Sequence, residues 1–117
     1  MARVVAFIPD LLFGSNVLGS LTAAGHDTAL VSDVDGMQRE LPNADLLIVD
    51  LTADAPERIE QVGPIPLANE LRTLAFYSHV EADVRAQAEQ AGFDLVIPRS
   101  RMAREGASLV DRLLERS

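Results

Sequence analysis

The chain has 117 residues, with 10 basic side chains set against 18 acidic ones and a net charge of −8. At 48% hydrophobic and 24% charged residues, it has the makings of one cored domain rather than a disordered tail. Cysteine is absent, which excludes disulfides, thiolate nucleophiles and thiolate metal sites. All the basic residues are arginine, so lysine chemistry such as a Schiff base is excluded as well. The negative balance argues against a nucleic-acid partner. No apolar run reaches membrane-span length, and the opening MARVVAFIPD lacks a signal-peptide layout, so the expected setting is cytoplasmic.

Arg3–Ile8 is a short β-branched apolar run suited to a strand buried on both faces. Pro9, Asp10 and Gly14 interrupt it, and Ser15 is the expected N-cap of a helix over Asn16–Ala24 that ends at Gly25. Thr28–Ser32 reads as a second strand, followed by a short helix capped by Asp33 or Asp35 and ending near Leu41. Asp45–Val49, the most apolar run, is expected to be the central strand, closing at Asp50. Pro56 suits the first turn of a helix over Glu57–Val62, and Gly63-Pro64-Ile65-Pro66 predicts an irregular element up to Arg72. Thr73–Tyr77 is a fourth strand, Val80–Ala91 the clearest helix, Asp94–Ile97 a fifth strand, and Ala103–Glu115 a last amphipathic helix.

Strand and helix thus alternate five times, which predicts a single α/β domain over residues 1–117. Its parallel sheet is doubly wound and flavodoxin-like, in the order 2-1-3-4-5. In such a sheet ligands bind beyond the carboxyl ends of the strands. The residues expected there are Asp10 after the first strand, Asp50 ending the third, Ser78 after the fourth and Arg99 after the fifth. A carboxylate flanked by a second acid, a hydroxyl and a cation is the set that phosphoryl transfer to an aspartate uses.

In these residues the chain resembles the response-regulator receiver (CheY-like) family over essentially its whole length. The resemblance implies that Asp50, in ADLLIVDL, is the phosphoacceptor. It implies that Ser78 is the family's Ser/Thr, and that Arg99, in AGFDLVIPR, stands at the basic position. It further implies a Mg²⁺ site formed by Asp10, Asp50 and the backbone carbonyl of Thr52. The departures are specific. One acid follows the first strand where the family has two, and Arg99-Ser100 replaces lysine-proline. His79 replaces a small residue, and Val96 stands at the aromatic switch position. A guanidinium does not reproduce a lysine's point contact. One acid fewer weakens Mg²⁺ binding. The expectation is therefore an atypical pseudo-receiver: a signalling domain with a degenerate site, acting through a protein partner or as a homodimer. A phosphorylatable, Mg²⁺-dependent receiver is the alternative.

Other readings stand beside these. Asp50 and Asp10 are also ordinary turn-capping acids, and Ser78 heads the capping-box pattern SHVE. Arg99, Arg101 and Arg104 form a basic cluster that either binds an anion or acidic surface or offsets the nearby acids. Leu11, Leu12 and Phe13 are expected in a loop, as a lid over the crevice or as an exposed patch. Gly14–Gly19 followed by Asp33 carries a weak likeness to a nucleotide-binding βαβ unit, without the full glycine fingerprint. With His26 and His79 as its only histidines, the chain shows no hydrolase motif.

Overall fold

The computed structural model describes residues 2–63, 71–78 and 82–115. Five parallel strands form one sheet in the order β2-β1-β3-β4-β5. They are β1 (Arg3–Phe7), β2 (Asp27–Val31), β3 (Leu46–Asp50), β4 (Arg72–Tyr77) and β5 (Leu95–Pro98). The described helices are α1 (Leu11–Ala23), α2 (Val34–Glu40), α3 (Ala55–Val62), α4 (Ala82–Ala91) and α5 (Arg99–Glu115), with a 3-10 turn at Leu41–Asn43. None is long and apolar enough to cross a membrane. The strand order and strand identities match the sequence expectation.

Side-chain alternation divides the core into two layers. Val4, Ala6, Leu46, Ile48, Leu74 and Phe76 face α1 and α5, where they meet Phe13, Val17, Leu21, Met102 and Val110. Val5, Phe7, Leu47, Val49, Ala75 and Tyr77 face the opposite layer, with Met37, Val62, Val84 and Ala88. Every residue of β3 is buried, as a strand covered on both faces requires. The register continues past the strands: Ile8 N–H donates to Val31 O at 3.1 Å and Leu51 N–H to Phe76 O at 2.8 Å. That continuation fixes the height at which Asp10 and Asp50 leave the sheet.

Two helix starts differ from the sequence reading. Helix α1 begins at Leu11, not Asn16, and its N-cap is Asp10, not Ser15; the Asp10 carboxylate accepts from the N–H groups of Leu12 and Phe13, each at 3.1 Å. Leu11–Phe13 therefore form a helical turn instead of a loop. They divide between the two expected roles: Phe13 is buried, while Leu11 and Leu12 are 72% and 77% exposed. Gly14 does not break the helix, because it lies against the sheet; a Cβ there would stand 2.9 Å from Leu30 Cδ1. The Gly14–Gly19 segment is thus helix interior, not a phosphate-binding loop. Likewise α5 begins at Arg99, not Ala103, which places Arg99 and Ser100 in its first turn.

Elsewhere the expected signals act as read. Asp33 caps α2 through Gly36 N–H at 2.7 Å, proline sits in the first turn of α3, and Gly25 and Gly92 adopt positive φ beyond α1 and α4. Most of the irregular element expected before Arg72 lies outside the described residues, as do His79, Val80 and Glu81 at the expected start of the fourth helix; Arg72 itself opens β4.

The edge opposite the strand carboxyl ends is held by polar clips. Arg3 pairs with Asp27 at 2.7 Å and Glu40 at 2.8 Å. Thr73, fully buried, exchanges three hydrogen bonds with Asp94 at 2.8, 3.2 and 3.0 Å, joining the start of β4 to the approach of β5. Asp94→Ala removes the carboxylate that accepts from the buried Thr73 N–H and hydroxyl, leaving only the bond donated by the residue-94 backbone N–H. It is expected to lower unfolding free energy by about 2–3 kcal/mol, seen as a lower urea midpoint at unchanged m-value.

Candidate functional site

The sheet register brings the expected site residues to one edge. Asp50 is the last residue of β3 and pairs with Phe76 of β4. Ser78 follows β4, Arg99 follows β5, and Asp10 follows β1. Asp50 continues the alternation of Leu46 and Ile48, so it lies on the α1–α5 side of the sheet, the side of its register partner Phe76. At 6% exposure it is one of two buried polar residues among those described, with Thr73.

The Asp50 carboxylate is turned to its own loop. Oδ1 accepts from Thr52 N–H at 2.8 Å and from Thr52 Oγ1 at 2.6 Å, a local turn that an aspartate at a strand end forms readily. Two residues on, Asp54 takes the left-handed conformation at φ 54° and starts α3 without a side-chain cap.

Asp10 and Arg99 form a second group. Besides capping α1, Asp10 places Oδ2 3.7 Å from Arg99 Nη2. The guanidinium lies 4.2 Å above the centroid of the Phe13 ring, a cation–π contact. Phe13 in turn rests against Phe76 with ring centroids 5.1 Å apart. Phe13 thus connects the two groups, touching the register partner of Asp50 on one side and Arg99 on the other. Ser78 is half-buried and lines a cavity of ≈ 330 Å³ together with Phe13, Arg99, Ser100 and Ala103.

Asp50 with Thr52, and Asp10 with Arg99, are therefore paired by direct contacts, and Ser78 shares a cavity with Arg99. No described cluster of three or more His, Asp or Glu side chains is arranged to hold a metal ion. The hydrogen bonds from Thr52 run from its amide and hydroxyl toward Asp50. His79 lies outside the described residues.

The sequence offers Phe13, with Leu11 and Leu12, as a lid or an exposed patch; with Asp10 as the N-cap it is Phe13 alone of the three that turns inward. Arg58 is a participant that no sequence motif marks. Its guanidinium lies 4.3 Å over the Phe7 ring and Nη1 is 3.5 Å from the backbone O of Asp50. Position 58 falls beside the inward residues Ala55 and Val62 at helical spacing.

No protein-family profile and no curated protein sequence matches the chain. Solved structures do. The receiver domain of NtrX from Brucella abortus superposes with a TM-score of 0.83 at 19% identity, covering 98% of this chain and 99% of that one. The receiver domain of the Francisella response regulator 1452 gives 0.83 at 14% identity, covering 99% and 98%. NtrX from Brucella abortus in complex with ADP gives 0.85 at 19% identity over 97% of this chain, which spans only 26% of that longer protein. At such identities the likeness is one of fold. The chain has the flavodoxin-like architecture of the response-regulator receiver domains.

Proposed function

We propose that the chain is a cytoplasmic receiver-like signalling domain that acts through contact with another protein, and that its site at Asp50 is degenerate. The observation that carries this reading is the engagement of Arg99. The cation at the position expected to bind a transferred phosphoryl group is stacked on Phe13 at 4.2 Å and stands 3.7 Å from Asp10. A phosphoryl group on Asp50 would draw on Arg99 only by breaking both contacts. Asp10 is also committed, since its Oδ1 holds the first turn of α1.

The donor set suits a resident Mg²⁺ poorly. That ion demands near-octahedral oxygen coordination built on carboxylate charge. Here one of the two acids caps a helix and faces a guanidinium, and one oxygen of the other already accepts two hydrogen bonds. Any Mg²⁺ held by Asp10, Asp50 and the Thr52 carbonyl is accordingly weak, and no step of the proposed activity runs through it.

The reading is tested with a phosphoryl mimic. Beryllofluoride or acetyl phosphate, with Mg²⁺ at about 10 mM, is expected to leave the amide NMR signals of Asp50, Thr52 and Ser78 unmoved. Saturable shifts at these residues would overturn the degenerate reading in favour of a phosphorylatable receiver.

The cause of the degeneracy is tested by reversing it. Pro9→Asp supplies a second acid beside Asp10, and Arg99→Lys exchanges the stacked plane for a point charge. The double variant is expected to bind Mg²⁺ at least about tenfold more tightly than the parent, measured by titration of the Asp50 amide signal. Equal affinities would place the cause elsewhere.

A further inference from the structure

Helices α1 and α5 lie side by side on one face of the sheet, yet their outer edges do not close. A groove of ≈ 400 Å³ separates them, running from Phe13 and Arg99 at the carboxyl edge down to Ser20 and Ala107. Its volume falls within the span of ligand pockets, about 300–1,000 Å³. The helical rise over these residues makes it about 10 Å long. Buried Val17, Leu21 and Met102 form its floor. Asn16 and Ser20 stand exposed on the α1 rim, and Ala103 keeps the α5 rim low.

The groove differs from the rest of the surface in charge. The chain has 18 acidic residues and a net charge of −8, but Arg99 is the one charged side chain among the described residues that line the groove. Helix α1 adds none, for it carries no charged residue from Leu11 to Ala23. Arg99 is half-exposed and donates no hydrogen bond among the described residues. Asp10 Oδ2, at 3.7 Å, is beyond hydrogen-bond reach, and Phe13 occupies only the face of the guanidinium plane. The N–H fork at the edge of that plane is open to an acceptor.

We infer that this groove binds a small amphipathic carboxylate, its head on Arg99 and its apolar body laid along Val17, Leu21 and Met102. A carboxylate matches the fork with two parallel N–H···O bonds and leaves the stack on Phe13 in place. One cation beside the Asp10 carboxylate suits a monoanion; a phosphate dianion would meet that acid with a charge uncompensated. The Asn16 amide and Ser20 hydroxyl add donors on the opposite rim. A length of about 10 Å admits an aryl or short alkyl acid and excludes a long fatty chain. The inference goes beyond the reading at Asp50 and does not depend on it.

Titration of the 117-residue chain with phenylbutyrate, followed through its amide NMR signals, tests the site. Saturable shifts are expected at Asn16, Val17, Ser20, Ala103 and Ala107, with a dissociation constant of about 1 mM or below. The neutral amide of the same acid lacks the charge, and acetate lacks the apolar body. Each is expected to bind at least about tenfold more weakly. Arg99→Gln is expected to weaken phenylbutyrate binding at least about tenfold. Arg112→Gln removes the same charge about 20 Å further along α5 and is expected to leave the affinity within about twofold of the parent. Ala103→Phe, at an exposed helical position, fills the groove and is expected to abolish the shifts. Circular dichroism checks that each variant is folded. The absence of saturable shifts at these residues overturns the proposal. So does equal binding of the amide, which would reduce the site to an apolar surface, or of acetate, which would reduce it to a bare anion contact. Parent affinity in Arg99→Gln or Ala103→Phe overturns it as well, as does an equal loss in Arg112→Gln. These signals are separate from those of Asp50, Thr52 and Ser78, so the groove and the phosphoacceptor position are read independently.

Discussion

The arrangement at the carboxyl edge of the sheet depends on the commitment of the Asp10 side chain to the first turn of α1. By accepting from Leu12 and Phe13 N–H, it starts that helix directly after β1. A helix begun there turns its third residue inward and its first two outward. Phe13 is consequently placed on Phe76 and under the Arg99 guanidinium, while Leu11 and Leu12 remain in solvent. One capping interaction, worth about 1 kcal/mol, thereby decides which side chain stands between the strand ends and which are left for an outside surface.

Phe13 has a second consequence. A cation near a buried carboxylate ordinarily seeks that carboxylate, and Arg99 was expected to serve Asp50. Its planar guanidinium instead has two partners at once, the ring face of Phe13 and the second oxygen of Asp10. Asp50 meets its own need locally through the Thr52 amide and hydroxyl. The edge thus contains two polar groups, Asp50 with Thr52 and Asp10 with Arg99, bridged by an aromatic ring.

The opposite end of the molecule shows the same economy. Arg3 ties the amino ends of β1 and β2 to the carboxyl end of α2 through Asp27 and Glu40, and Asp94 satisfies the buried Thr73. With these clips at one edge, the parallel register is held along its length, and the residues after each strand emerge at a common height.

The sequence by itself determined the alternation of strand and helix, and with it the sheet order. Continuous apolar runs such as LLIV in β3 fit only a strand covered on both faces, and right-handed crossovers leave few topologies for five of them. It also determined which residues stand at the carboxyl edge, because Asp50, Ser78 and Arg99 each end or follow a legible strand. Helix starts were less legible. Pro9-Asp10 and Gly14 read as breakers, yet the tertiary packing of Gly14 against Leu30 makes glycine the residue that lets the helix run past. The turn contacts of Asp10 and Asp50 are local, but only the folded chain decided that Arg99 settles against Asp10 and Phe13. That choice rests on distances between the ends of different strands and on the orientation of one phenylalanine, and linear spacing carries neither.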